Sequence, residues 1–217
     1  MKPNMKSFRE ALLLYAVTDR AWVGKQTFYE QVESALKGGA TCLQVREKTL
    51  SDKDFLAEAL EIKKLCRKYQ VPLIINDNVE VAIKCGADGI HVGQEDIEAG
   101  KVRQLVGETR ILGVSVQTVK QALEAERAGA DYLGVGAVFT TTSKLDADTV
   151  SHATLKEICN VVSIPVVAIG GIYKHNILEL SGTGVDGVAL VSAIFSAEDI
   201  EAECRELRRL SEMLVKR

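Results

Sequence analysis

The chain has 217 residues, long enough for two domains, yet α/β barrels of this size fold as one and no linker or low-complexity tract divides it. Hydrophobic residues make up 47% and charged residues 26%, ample for a core, and a formal net charge of −3 argues against nucleic acid or a membrane surface as partner. Five cysteines lacking a Cys-x-x-Cys pair suit free thiols in a reducing compartment. The charged residues 1–10 do not resemble a secretory signal, and no apolar run is long enough to span a bilayer, so the expected location is cytoplasmic.

Short apolar runs alternate with amphipathic segments along the whole chain. The first strand is expected over 12–17, followed by a surface loop at 20–26 and a helix over 26–37. The second strand, 41–46, places Gln44, Arg46 and Lys48 on one side, while Leu43 and Val45 face the helix layer. Three polar groups then point inward at a carboxyl strand end; the plainer reading of Arg46-Glu47-Lys48 is a solvated turn. After a helix over 52–68, strands over 73–76 and 89–92 are each followed by a carboxylate, Asp77 and Asp96. Two acids at successive strand ends suit a hard cation such as Mg²⁺, which takes oxygen ligands and is shared with substrate phosphates; helix N-capping is the alternative. His91 shares an inward face with Gly93 and reads as a core or pocket-lining residue, since no second histidine stands at ligand spacing.

The fifth strand, 110–114, leads to Ser115, either a site hydroxyl or the N-cap of the helix over 119–128. The sixth, 132–135, leads to Thr140-Thr-Thr-Ser-Lys144, a polar loop that also offers hydroxyls and an ammonium to a phosphate. The seventh, 166–169, ends at Gly170-Gly171, and the eighth, 187–191, at Val191-Ser192-Ala193, before a helix over 198–215. Loops after the last two strands of a β/α barrel commonly hold phosphate. His152 and His175 read as solvated.

Four glycine turns, at Gly38-Gly39-Ala40, Gly86-Ala87-Asp88, Gly129-Ala130-Asp131 and Gly184-Val185-Asp186, precede the second, fourth, sixth and eighth strands. A β-α-β-α unit repeated four times predicts a single eight-stranded parallel β/α barrel, with an open doubly wound sheet as the alternative.

These strand ends carry a resemblance. Tyr15-Ala-Val-Thr-Asp19, Gln44-Val-Arg-Glu-Lys48, Asn76-Asp77, Gly89-Ile-His-Val-Gly-Gln-Glu-Asp96 and Gly113-Val-Ser115 are similar to those of the thiamine-phosphate synthase family. So are Asp131-Tyr132 through Lys144, Ala168-Ile-Gly-Gly-Ile172 and Asp186-Gly187 through Ile194, in order over nearly the whole chain. The resemblance implies a barrel enzyme that joins hydroxymethylpyrimidine diphosphate to thiazole phosphate, releasing thiamine phosphate and diphosphate by a dissociative substitution. It implies Gln44, Val45, Arg46, Glu47, Lys48 and Asn76 as pyrimidine diphosphate contacts, and Asp77 and Asp96 as Mg²⁺ ligands. Ser115 and Lys144 would also touch the diphosphate. Thr141, Thr142, Ser143, Gly171, Val191 and Ser192 would receive the thiazole phosphate. Arg46, Lys48, Ser115 and Lys144 are the implied catalytic groups.

Two departures fall near the sixth strand. The family commonly has Gly-Pro where this chain has Gly136-Ala137, and Pro-Thr-x-Thr-Lys where it has Thr140-Thr-Thr-Ser-Lys144. With Mg²⁺, the three basic side chains would balance the charge of a diphosphate and two aspartates. A thiazole tautomerase-like paralogue would need no metal, and a non-catalytic thiamine-phosphate-binding barrel would have lost metal or diphosphate groups; Arg46, Asp77, Asp96 and Lys144 speak against both. The expected partners are the small-molecule substrates, with homo-oligomer formation left open. The loop over 140–150 is expected to close as a lid over them, a permanently ordered loop being the alternative.

Overall fold

The computed structural model describes residues 5–94, 98–140 and 149–216. Its strands are β1 (Leu14–Val17), β2 (Cys42–Val45), β3 (Leu73–Asn76), β4 (Gly89–Val92), β5 (Ile111–Val116), β6 (Tyr132–Val135), β7 (Val166–Ile169) and β8 (Gly187–Leu190). They pair in sequence order, and β8 returns in parallel to β1 with Leu14 opposite Val188. The barrel is closed, which removes the open sheet.

The two-residue period of each strand sorts the core into two layers. Outward residues such as Leu43, Val45, Ile90, Val92, Leu112 and Leu133 pack against Val32, Ile62, Leu65, Ala122 and Leu207 of the helices. Inward residues Tyr15, Val17, Cys42, Ile74, Ile111, Tyr132, Val167 and Ala189 fill the barrel.

The surrounding helices are α1 (Met5–Ala11), α2 (Phe28–Lys37), α3 (Asp52–Tyr69), α4 (Val79–Lys84), α5 (Ala99–Val106), α6 (Val119–Arg127), α7 (His152–Val161), α8 (Ser192–Phe195) and α9 (Ile200–Val215). Side-chain caps start most of the longer ones: capping boxes at Thr27/Glu30 and Thr118/Gln121, and single caps at Ser51, Ser151 and Asp199.

Three expectations change. The first strand begins at Leu14 because the Leu12 N–H donates back to Phe8 and Arg9 carbonyls, at 3.2 and 3.1 Å, ending α1. That helix has seven residues, too few to show a 3.6-residue period. It plugs the barrel floor, with Phe8 edge-on to Tyr132 at 6.0 Å between ring centres. The fourfold β-α-β-α repeat is also incomplete: between β7 and β8 the chain makes a 3₁₀ turn over Ile177–Leu180. Asn176 folds this connection tightly, donating to the Gly171 carbonyl at 2.9 Å and accepting the Tyr173 N–H at 2.8 Å. Residues 20–26, expected as a loop, contain a 3₁₀ turn over Arg20–Trp22 that leaves Trp22 exposed.

The glycine turns do more than end helices. In each repeat the residue after the turn clamps the start of the preceding strand. Asp88 accepts the Leu73 N–H at 2.8 Å, Asp131 that of Leu112 at 2.8 Å, and Asp186 that of Val166 at 3.0 Å. In the first repeat the Thr41 hydroxyl does the same for Leu14 at 2.8 Å. Each also donates its own N–H to the carbonyl of that same strand residue. The three aspartates in turn hold Lys63, Arg103 and Arg9 at 2.6, 2.6 and 2.5 Å. Arg103 is almost buried and spends its other donors on carbonyls of Gly107, Arg110 and Gly129.

Replacing Asp131 with Ala leaves a nearly buried guanidinium short of its carboxylate and a strand N–H without its acceptor. The expected loss is about 3 kcal/mol in urea unfolding. A loss below about 1 kcal/mol would show that the clamp does not support the barrel.

Candidate active site

At the carboxyl ends of the strands, polar side chains link one strand end to the next. Thr18, fully buried after β1, donates its N–H to the Gln44 carbonyl at 2.9 Å and accepts the Arg46 N–H on its hydroxyl at 3.0 Å. Asp19 caps the 3₁₀ turn through the Ala21 N–H and pairs with Arg46 at 3.1 Å. Lys48 reaches across to Asp77 at 2.5 Å, joining the ends of β2 and β3. Asp77 donates its N–H to the His91 carbonyl at 2.9 Å, joining β3 to β4. His91 then meets Ser115 on β5, Nε2 to Oγ, at 2.9 Å.

Asp77 stands in left-handed backbone, φ +60°, a conformation that aspartate tolerates better than most residues. The cap of α4 is its neighbour Asn78, which accepts the Val81 N–H at 2.9 Å, so capping does not explain Asp77. Nor does Ser115 cap α6, since Thr118 performs that role. Asp77's carboxylate is one-quarter exposed at the rim and supplies the hard oxygen that Mg²⁺ takes, so its chemistry fits such an ion. The second expected ligand, Asp96, lies outside the described residues, among which no group of three metal-ligating side chains gathers.

The Glu47 side chain has another task. Its carboxylate is 3% exposed and committed to the loop after β2. One oxygen accepts the N–H groups of Lys48, Thr49 and Leu50 at 2.8, 2.7 and 3.3 Å, and the Thr49 hydroxyl at 2.9 Å. The other takes Arg20 at 2.6 Å, whose guanidinium also holds Glu58 and lies over the Phe28 ring. Burial alone would raise this carboxyl, but the Thr49 N–H, the Arg20 guanidinium and the Lys48 N–H outweigh it and hold the group down at about 2. The Val45 side chain is buried in the helix layer, leaving backbone as its means of touching a ligand.

Within the barrel, Gln44 is buried as its parity predicts, and donates to the Tyr15 hydroxyl at 2.8 Å. Asn76 ends β3, half-buried, in register with His91. On the far side, Gly170 and Gly171 make a left-handed turn after β7. A Cβ at Gly171 would stand 2.5 Å from the Thr140 carbonyl oxygen, so the turn is packed against the chain leaving β6. After β8, Val191 precedes α8, and Ser192 shares a 2.8 Å hydrogen bond with Tyr173.

Of the residues expected at the site, Gln44, Arg46, Lys48, Asn76, Asp77 and Ser115 are thus gathered on β2 to β5, with Gly171, Val191 and Ser192 on β7 and β8. Thr141, Thr142, Ser143 and Lys144, and the proposed lid apart from its end residues, lie outside the described residues. Sequence reasoning assigned no role to Tyr15, Asp19 or Tyr132. The two tyrosines were findable: each sits at inward parity, and a buried phenol needs a hydrogen-bond partner.

A family model described as thiamine monophosphate synthase matches residues 14–194. A thiamine-phosphate synthase of Clostridium tetani is 50% identical over 194 residues, covering 89% of this chain and 93% of its own. One from Ruminiclostridium cellulolyticum is also 50% identical, covering 89% and 92%. A solved structure of thiamine phosphate pyrophosphorylase from Pyrococcus furiosus superposes with a TM-score of 0.89 at 39% identity, over 96% of this chain and all of that one.

The Glu47 network carries a pH signature. The folded carboxyl titrates near 2 against 4.5 for a free one, so below pH 4.5 the unfolded chain takes up the proton first. Its stabilisation, on the order of 3 kcal/mol, is complete above pH 4.5 and is lost as pH falls through about 2. The stability difference between wild type and Glu47→Gln should therefore shrink across that window. A difference constant from pH 6 to pH 2.5 would contradict the network.

Proposed function

The chain belongs to the thiamine monophosphate synthase family, and on that premise we propose that the mouth of its barrel joins a hydroxymethylpyrimidine diphosphate to a thiazole phosphate. It is a transferase of thiamine biosynthesis. The observation that supports this assignment of the site best is the row of cations and carboxylates shared by β1, β2 and β3, Arg46 with Asp19 and Lys48 with Asp77. Neutral pairs of this kind keep the mouth from repelling itself when empty and become available to a polyanion. A single-phosphate tautomerase would have no use for them.

In this reading the pyrimidine diphosphate enters with its diphosphate toward Arg46, Lys48, Ser115 and Lys144, and its ring toward Gln44 and Asn76. Mg²⁺, held by Asp77 and Asp96, would supply charge neutralisation to the leaving diphosphate. Asp77, which pairs with Lys48 in this structure, would hold the ion, and the Lys48 ammonium would then be placed to pair with the diphosphate. The bond between the pyrimidine methylene and the diphosphate oxygen breaks with its electron pair leaving on oxygen. The resulting cation is spread over the aminopyrimidine until the thiazole nitrogen attacks and forms the new C–N bond. No proton need be moved, so these side chains act by positioning and electrostatics. The thiazole phosphate is held by the turns at Gly171 and Val191-Ser192, with Thr141, Thr142 and Ser143, on the side of the barrel that receives phosphate in many such folds. The lid over 140–150 would shield the cation from water.

Small molecules are the proposed partners, with no nucleic acid and no membrane. Among the described residues no helix is long and apolar enough to cross a membrane. A reducing, cytoplasmic setting agrees with the free thiols of Cys42, Cys66, Cys85 and Cys204, all buried.

Mixing the two substrates with the protein should yield thiamine phosphate only with a divalent cation present. Asp77→Asn should lower turnover at least about a hundredfold and raise the Mg²⁺ requirement, with the circular dichroism spectrum unchanged. Full turnover in excess chelator would remove the metal from the mechanism, and no product under any condition would remove the reaction.

A further inference from the structure

We propose that His91 is a positioning residue, held as the neutral Nε2–H tautomer by a one-way chain of hydrogen bonds, buried up to His91, that turns the Ser115 proton toward the bound anion. The chain runs Gln44, Tyr15, Tyr132, His91, Ser115, with separations of 2.8, 2.8, 2.9 and 2.9 Å. It crosses the interior from β2 through β1, β6 and β4 to β5.

Its polarity follows from counting protons. The Gln44 end facing Tyr15 is the amide nitrogen, which only donates. The Tyr15 oxygen therefore accepts, and its single proton goes to the Tyr132 oxygen at 2.8 Å, a stronger acceptor than the neighbouring Cys42 sulfur. Tyr132 in turn has one proton, and Nδ1 of His91 is there to accept it. Nδ1 then carries no hydrogen, so the ring proton sits on Nε2 and is donated to the Ser115 oxygen. Ser115 keeps its own proton for another partner. Both tyrosines are at most 1% exposed, and burial pushes their hydroxyls well above the usual phenol range, so each stays a one-proton donor.

The other protonation states fit less well. An imidazolium would donate from both nitrogens, which obliges Tyr132 to donate to Tyr15 and sends the Tyr15 proton out of the chain to the Cys42 sulfur, a weak acceptor. The Nδ1–H tautomer meets the same conflict. The serine–histidine pair thus looks like an activated nucleophile, but its polarity is the reverse: histidine donates and serine is left a donor. A diphosphate offers acceptors alone, so this is the polarity that attracts it; an oxygen lone pair presented there would repel it. This step rests on the reading of Ser115 as a diphosphate contact.

Room for the chain is built into the strands. A Cβ at Gly113 would run into the Tyr132 ring and Nδ1 of His91, and one at Gly134 would stand 3.2 Å from His91 Cε1. These two glycines are the register partners of His91 and Ser115.

The test begins with ¹⁵N NMR of histidine-labelled, ligand-free protein at neutral pH, with the His91 signals assigned by their loss in His91→Gln. The expected result is a protonated Nε2 and an unprotonated Nδ1. A ring protonated on Nδ1, alone or together with Nε2, overturns the proposal whatever reaction the protein performs, while failure to turn over the two substrates would overturn the proposed function and leave the tautomer standing. Tyr132→Phe removes the donor to Nδ1. It should give a mixture of tautomers and lower kcat roughly tenfold or more, with the KM for thiazole phosphate unchanged. His91→Gln, which keeps an N–H near Ser115, should retain more activity than His91→Ala. A Tyr132→Phe enzyme with altered tautomers and unaltered kcat would show that the chain does not position Ser115.

Discussion

A closed barrel of eight parallel strands has an interior that every second residue must enter, and no water is at hand to solvate what enters there. In this chain those positions include Tyr15, Gln44, His91, Ser115 and Tyr132 among apolar neighbours. Such a row is stable only when each donor finds an acceptor. The hydrogen-bonded chain across the interior meets that condition as far as the partly exposed Ser115 at its end, and the same alternation sends Leu43, Val45, Ile90 and Leu112 outward into the helix layer. Packing and chemistry are thus assigned by one periodicity.

The two ends of the barrel divide the work. At the floor, Thr41, Asp88, Asp131 and Asp186 clamp the starts of alternate strands, and Phe8 of α1 with Leu12 just after it seals the opening. At the rim the charges are more exposed and their pairs link neighbouring strand ends. Lys48, half exposed, pairs with Asp77, whereas Arg103 at the floor is almost buried and fixed by four acceptors. Fixed pairs suit stability, and exchangeable pairs suit a site that must trade its own ions for a ligand's.

Much of this was legible in the sequence because alternation is local. The eight strands, the inward turn of Gln44 and His91, and the glycine turns after α2, α4 and α6 all follow from residues a few positions apart. What was not legible depends on space. Nothing in Gly-Ala-Asp says that the aspartate reaches back to a strand some twenty residues earlier, or that Thr41 stands in for it in the first repeat. Glu47 lay within a motif whose Arg46 and Lys48 reach the rim, yet three following N–H groups and Arg20, 27 residues away, claim its carboxylate. Asn78 rather than Asp77 caps α4, a one-residue offset that leaves the Asp77 carboxylate to pair with Lys48 at the rim. The missing helix before β8 reflects Asn176 folding the connection on itself, which no periodicity announces.

The central claim is that the rim on β2 and β3 receives the diphosphate while the turns after β7 and β8 receive the thiazole phosphate. Calorimetry on Arg46→Ala, with Mg²⁺-diphosphate and thiazole phosphate titrated separately, tests it most directly. The account predicts diphosphate binding weakened about tenfold or more and thiazole phosphate binding held within about a factor of two. Equal weakening of both ligands, or loss of thiazole phosphate alone, would contradict it.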